Sequence, residues 1–282
     1  MLTDQQVMRL ARRATGGDVA EVGPFEQGGP NVRWVRPAGG GPRLVLKWWP
    51  ANERPVPALR RARQWASVLE AAGWPFPRCL SVSQFDEYSV VVEEHLRGRH
   101  PADITPAVVR QMLSMADRAR GRGEPNHGWL RALSGNARRG GKVRVDVLRA
   151  HPVGAELLRR LAAALATVDG ARFAPSDVVH GDFSPGNVLV ADGAVVGVVD
   201  WDGAGPGDTA FDLVTLEWDL ALWGRGVRDH LPDITTALDR IGEPDLLRVY
   251  RLYHAATNLS WSVGTPDEAA VVGAWRDYPA PA

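Results

Sequence analysis

One cysteine, Cys79, stands in 282 residues, so no disulfide can close within the chain and a reducing interior is expected. Lysine is almost as scarce: Lys47 and Lys142 stand against 31 arginines. No apolar run approaches membrane-spanning length, and the opening MLTDQQVMRLARR lacks the apolar core of a signal peptide. These absences point to a soluble, cytoplasmic protein with no membrane partner. No G-x-x-x-x-G-K-[ST] occurs, which excludes a P-loop, and Gly203-x-Gly205-x-Gly207 has the wrong spacing for a dinucleotide fingerprint. There is no internal repeat and no long linker. What remains is an ordinary globular composition, 45% apolar and 23% charged, long enough for one large domain or two lobes.

Net charge is zero but unevenly spread. Residues 1–97 carry thirteen basic and ten acidic side chains, residues 98–175 fourteen and six, and residues 176–282 six and seventeen. A cleft lined by one sign concentrates ligands of the other. The acid excess is larger than a metal site needs, so a small cationic partner is expected, with Glu217, Asp219, Asp267 and Glu268 as candidate contacts. The basic stretch 135–144, with Arg138, Arg139, Lys142 and Arg144, has no aromatics interleaved. It reads as a solvated loop, not a nucleic-acid contact.

The densest signal is residues 178–202, VVHGDFSPGNVLVADGAVVGVVDWD. Asp182 and Asn187 are five residues apart, and Asp200 follows thirteen later, between two strand-like apolar runs. A carboxylate, an amide and a second carboxylate so placed suit phosphoryl transfer. The first orients a hydroxyl, and the other two hold Mg²⁺ on a nucleotide's phosphates. Lys47 closes the apolar run Arg43-Leu44-Val45-Leu46-Lys47. A compact ammonium at that strand position, in a chain that otherwise uses arginine, fits the lysine that reaches the α- and β-phosphates in kinases.

Protein kinases carry H-R-D-x-x-x-x-N. Here His180-Gly181-Asp182 and Asn187 keep the Asp-to-Asn interval with Gly in place of Arg, and Asp200-Trp201-Asp202 stands in place of D-F-G. On these motifs the chain resembles the aminoglycoside phosphotransferase and choline kinase superfamily, over roughly residues 21–218. The resemblance implies an α+β, bilobal protein-kinase-like fold: a small mixed β-sheet N-lobe at residues 1–97 and a mainly helical C-lobe at residues 98–282. It implies Asp182 as the catalytic carboxylate and Asn187 and Asp200 as metal ligands. Gly28, Gly29 and Asn31 match the family's G-G-x-N-like turn near phosphate, and Glu94, His95 and Leu96 match the connector that meets the adenine edge. His180, Asp202, Asp208 and Asp212 are expected to support the loop, Asp208 as a helix N-cap with Asp212 four residues on. The family's helix glutamate, counted back eleven residues from a G-x-P turn, falls on Ala62, flanked by Arg61 and Arg63. The partner of Lys47 is therefore open, with Glu53 and Glu70 as candidates.

Periodicity predicts a helix within residues 1–20, strands within 21–49, a helix over 56–72 and two strands over 80–96. Helices are predicted over 107–120, 155–168, 208–222 and 246–263. The implied activity is an O-phosphotransferase using ATP (GTP is not excluded) and Mg²⁺, as a monomer or homodimer. Its acceptor is expected to be a hydroxyl of a small cationic molecule, foremost an antibiotic of aminoglycoside, basic peptide or nucleoside type. A metabolite kinase (for an amino alcohol, fructosamine or sugar) and a catalytically weak kinase-like binding module stay open.

Overall fold

The computed structural model describes residues 2–25, 29–139, 142–170, 173–223 and 231–277. In chain order its first elements are α1 (Asp4–Thr15), β1 (Val19–Gly23), β2 (Val32–Pro37), β3 (Leu44–Pro50), α2 (Val56–Ala71), β4 (Cys79–Phe85) and β5 (Tyr88–Glu94). Then come α3 (Pro106–Ala119), α4 (Trp129–Arg139), α5 (Val145–Ala150), α6 (Pro152–Thr167) and β6 (Asp177–Val179). The last are β7 (Val188–Ala191), β8 (Ala194–Val198), β9 (Gly205–Gly207), α7 (Thr209–Trp223), α8 (Leu231–Ile241), α9 (Pro244–Ser262) and α10 (Glu268–Asp277). The chain divides into two compact units: residues 1–99 with 188–204, and residues 100–187 with 205–282. No helix among the described residues is long and apolar enough to cross a membrane.

The first unit is built on an antiparallel sheet of order β1-β2-β3-β5-β4. Side chains alternate across a strand, and here the alternation separates chemistry. Leu46, Trp48, Val90 and Val92 join Val35 in a core against Val7, Leu10 and Ala11 of α1. The opposite parity puts Lys47 and Glu93 on the other face, where Lys47 pairs with Val91 and Val45 with Glu93. Helix α1 can form there because Thr3 and Gln6 close a capping box at its start and Gly16, at φ 69°, ends it.

The β7–β8 hairpin also belongs to this unit, although the sequence reading leaves it in the second lobe. Its turn residues Asp192 and Gly193 both have positive φ, as a tight hairpin turn requires. Arg99 bridges to Val190, and Gly98 lies so close to Val196 and Leu189 that a side chain would not fit. The Val198 amide donates to the Pro75 carbonyl at 2.8 Å. Beyond it, Trp201 is fully buried, edge-on to Trp74 and Phe76, with its indole N–H on the Val198 carbonyl at 2.7 Å. Apart from the local Trp201–Val198 bond, these contacts join residues far apart in sequence, which is why no local pattern announces them.

In the second unit β6 pairs antiparallel with β9, and helices α7 and α9 form the centre. Phe211 of α7 packs its ring against Trp129, Tyr250, Tyr253 and His254. The expected loop at 135–144 is corrected in part: residues 135–139 continue α4. Helices α4, α5, α8 and α10 lie outside the helices that periodicity predicts.

Strand β6 leads directly into the His180 motif, and its position depends on a close backbone approach. Gly123 donates its amide to the Ser176 carbonyl at 2.6 Å, and a Cβ there would collide with the Asp177 carbonyl. Gly123→Ala is expected to cost about 2–3 kcal/mol, as for overpacking against atoms that cannot move aside. Thermal unfolding reads this as a lowered Tm; an unchanged Tm would show that the strand shifts freely.

Candidate active site

The second unit carries the His180 loop, from the end of β6 to the 3₁₀ turn Pro185–Asn187. Asp212 of α7 is buried and receives two consecutive backbone donors: the His180 amide at 2.7 Å and the Gly181 amide at 2.9 Å. Gly181 can present its N–H this way because it adopts φ 82°. Burial pushes the Asp212 carboxyl up to about 7, against the pull of the two amide bonds. The His180 ring is fully buried beside Phe183, a bracing position rather than one open to a reactant.

Asp182 is exposed. The Asn187 carboxamide donates to its Oδ2 at 3.0 Å and to its backbone carbonyl at 2.9 Å. The Asn187 amide nitrogen thus faces Asp182. Asp219, half-buried on α7, accepts from the Ser184 hydroxyl; burial and then the Asp182 charge raise its carboxyl to about 7. Asp208 caps α7 through the Ala210 amide at 3.0 Å and accepts the Tyr250 hydroxyl at 2.8 Å.

One contact was missed by sequence reasoning. Lys142, assigned to a solvated stretch, donates Nζ to the Gly181 carbonyl at 2.8 Å. The rarity of lysine in the chain is the signal that singles it out, as it does Lys47. Of the remaining candidate acids, Glu217 is buried with both oxygens on the Arg251 guanidinium, at 2.9 and 3.0 Å. Glu268 accepts the Gly264 amide at 2.7 Å and faces His151 at 3.2 Å. Asp267 is exposed beside it.

The first unit holds the lysine. Lys47 Nζ lies 3.4 Å from Glu93 and 3.3 Å from Asp200. Glu53 and Glu70 are exposed; the acid beside Lys47 is Glu93, supplied by β5 and not by the helix. Burial alone would lower the Lys47 ammonium, but Glu93, Asp200 and Asp202 outweigh it and hold it above the ordinary lysine value. Arg63 of α2 stands 2.6 Å from Glu93 and 3.1 Å from Asp202. Asp200 itself takes a left-handed backbone, φ 68° and ψ 53°. Burial raises the Asp202 carboxyl to about 6, while Lys47 and then Arg63 pull it down.

Asn31 uses its side chain between strands, donating to the Trp48 carbonyl at 2.9 Å. Gly29 accepts the Val32 amide at its carbonyl, and Gly28 lies outside the described residues. In the connector, the Glu94 amide donates to the Arg78 carbonyl, the His95 ring stacks on Phe25 at 5.7 Å, and Leu96 packs onto Gly197.

Mg²⁺ takes hard oxygen ligands, commonly one or two carboxylates with phosphate oxygens completing the shell. The Asp200 carboxylate, 49% exposed, and the Asn187 carboxamide oxygen are each of that type. Among the described residues no group of three His, Cys, Asp or Glu is arranged to hold a metal unaided.

A model of the phosphotransferase enzyme family matches residues 21–250. The chain belongs to that family. No curated protein matches this phosphotransferase in sequence. Among solved structures it is similar to aminoglycoside phosphotransferase APH(4)-Ia, at 18% identity over 99% of this chain and 100% of that one, with a TM-score of 0.70. It is also similar to APH(3'')-Id from Streptomyces rimosus, at 24% identity over 91% and 99% of the two chains, with a TM-score of 0.61. These likenesses show the fold, an α+β kinase-like one with an antiparallel sheet in the N-terminal part and helices beyond.

The Asp212 anchor has a pH signature. Its folded-state pKa of about 7 lies above the ordinary aspartate value of 3.8. The folded chain therefore holds the extra proton between those values, and stability falls as pH rises from about 4 to about 7. In Asp212→Asn that slope is absent, so the stability advantage of the wild type should shrink over this window and level off above it. Denaturant unfolding at several pH values measures the difference; a difference that grows with pH contradicts the assignment.

Proposed function

We propose that this phosphotransferase moves the γ-phosphate of ATP, with Mg²⁺, to a hydroxyl of a small cationic molecule. An antibiotic of the aminoglycoside type is the leading acceptor, with resistance or self-protection as the role. One observation carries the reading: in a family of phosphotransferases, Asp182 is an exposed carboxylate with one oxygen fixed by Asn187, on a loop clamped through Asp212. Its other oxygen is the natural acceptor for an incoming hydroxyl.

In the reaction the acceptor oxygen bonds to the γ-phosphorus as the bond to the β–γ bridging oxygen breaks, releasing ADP. The transition state is loose, so Asp182 chiefly orients the hydroxyl and takes its proton late. Lys47 places a point charge on the α- and β-phosphates. Asp200 and Asn187 are assigned to Mg²⁺, which when bound spreads the phosphate charge. Similar structures hold AMP-PNP with hygromycin B and ADP with streptomycin, which supports a nucleotide donor and an antibiotic acceptor here. A cationic group on the acceptor would also relieve the repulsion between Asp182 and Asp219. The absent helix glutamate was the ground for a catalytically weak module, and Glu93 beside Lys47 removes that ground.

An ADP-release assay across aminoglycosides, basic peptide and nucleoside antibiotics, amino alcohols, fructosamines and sugars tests the acceptor class. Turnover confined to metabolites would replace the antibiotic reading, and nucleotide binding without any turnover would replace the enzymatic one. Asp182→Ala should lower turnover about 10³-fold with nucleotide affinity retained, because the group acts on the acceptor. Near-normal turnover in that variant removes Asp182 from the chemistry. Asp200→Ala should weaken nucleotide binding only when Mg²⁺ is present, which titration calorimetry resolves.

A further inference from the structure

Within the first unit five charged side chains alternate in sign along one path: Asp200, Lys47, Glu93, Arg63 and Asp202. The steps are 3.3 Å from Asp200 to Lys47, 3.4 Å on to Glu93, 2.6 Å to Arg63 and 3.1 Å to Asp202. The path starts and ends on one three-residue turn, so it closes on itself. Lys47, Glu93, Arg63 and Asp202 have side chains exposed by 8% or less, whereas Asp200 is open to solvent.

Two features make this more than a buried ion pair. First, the charges stand opposite to the arrangement the family resemblance implies: α2 presents a cation, and the carboxylate beside Lys47 comes from β5. Second, Arg63 is the one member whose fork touches two acids on different elements, Glu93 on β5 and Asp202 on the turn. A planar guanidinium suits that bridging task, while an ammonium suits a point contact with phosphate. Without Arg63, three carboxylates would face a single cation, at the place where a polyanionic triphosphate is to bind.

We propose that Arg63 is the positioning residue of the nucleotide half-site. Through Glu93 it fixes the reach of Lys47, and through Asp202 it fixes the turn that aims the Asp200 carboxylate. The inference rests on the nucleotide-dependent reading above and adds a residue to it. Trp201 and the Val198–Pro75 bond hold the backbone of the same region. Loss of Arg63 should therefore disturb aim before it disturbs folding.

The test measures binding of a non-hydrolysable ATP analogue by calorimetry, with and without Mg²⁺. Arg63→Met should raise Kd at least about tenfold and shrink the affinity gained on adding Mg²⁺, since both the lysine and the turn lose their tether. Arg63→Lys, which retains the charge but not the fork, should fall between. Arg63→Met combined with Glu93→Gln should be non-additive, as for residues that act through one contact. Glu53→Ala and Glu70→Ala should leave Kd unchanged. A cooperatively folded Arg63→Met with Kd within twofold of wild type overturns the proposal. If that variant does not fold, Asp202→Asn cuts the same tether from the other side; a raised Kd supports the proposal and an unchanged one overturns it. If the wild type binds no analogue at all, the nucleotide reading fails and this inference with it.

Discussion

A buried carboxylate that accepts two consecutive backbone amides sets the geometry of the His180 loop. An amide left unpaired in that interior would cost on the order of 1–3 kcal/mol, so the loop is held where Asp212 can reach both donors. Asp212 in turn sits on the first turn of α7, whose start is fixed by Asp208 and by Asp177, the latter accepting the Thr209 amide at 3.0 Å. Asp177 also accepts the Gly121 amide at 2.7 Å, and thereby ties the segment after α3 to β6. Tyr250 links the cap to the helical centre, receiving the Trp129 indole N–H and donating to Asp208. The exposed Asp182 is thus one residue beyond a fully satisfied anchor. Its freedom to meet a reactant depends on its neighbours having none.

The first unit solves a different problem, the burial of several charges beside a sheet. Strand alternation supplies the separation: apolar residues of one parity meet α1, and charges of the other parity meet α2 and the Asp200 turn. Each buried charge has an opposite neighbour, which is the condition under which ions persist away from water. The scarce lysine and the abundant arginine then divide the labour by shape.

The motif chemistry was legible because it depends on residue types at short, fixed intervals. Asp182, Asn187 and Asp200 could be named as candidates for that reason, and Lys47 by its rarity and its place at the end of an apolar run. Glu93 was not separable from Glu94 by composition, since only the β3–β5 register says which of the two shares a face with Lys47. Looking to the helix for the acid failed because that helix carries Arg63. The Lys142 contact joins residues 39 apart, with no local signature. The stretch 135–144 reads as a loop in the sequence, yet α4 runs through Gly135, since one glycine lowers helix stability by only about 1 kcal/mol. The hairpin's membership in the first unit needed Pro75 and Gly98, both far from it in sequence.

The acid excess of the final third also reads differently in three dimensions. Asp177, Asp208 and Asp212 answer backbone amides at a helix start and a loop, where donors outnumber acceptors. Glu217 answers Arg251, and Glu268 answers the Gly264 amide and His151. From the basic middle third, Arg144 answers a carbonyl near the end of α9, that of Ser260. Several acids of the final third are therefore answered by amides, an arginine and a histidine within the fold. Near the His180 loop, burial and then the Asp182 charge raise the Asp219 carboxyl.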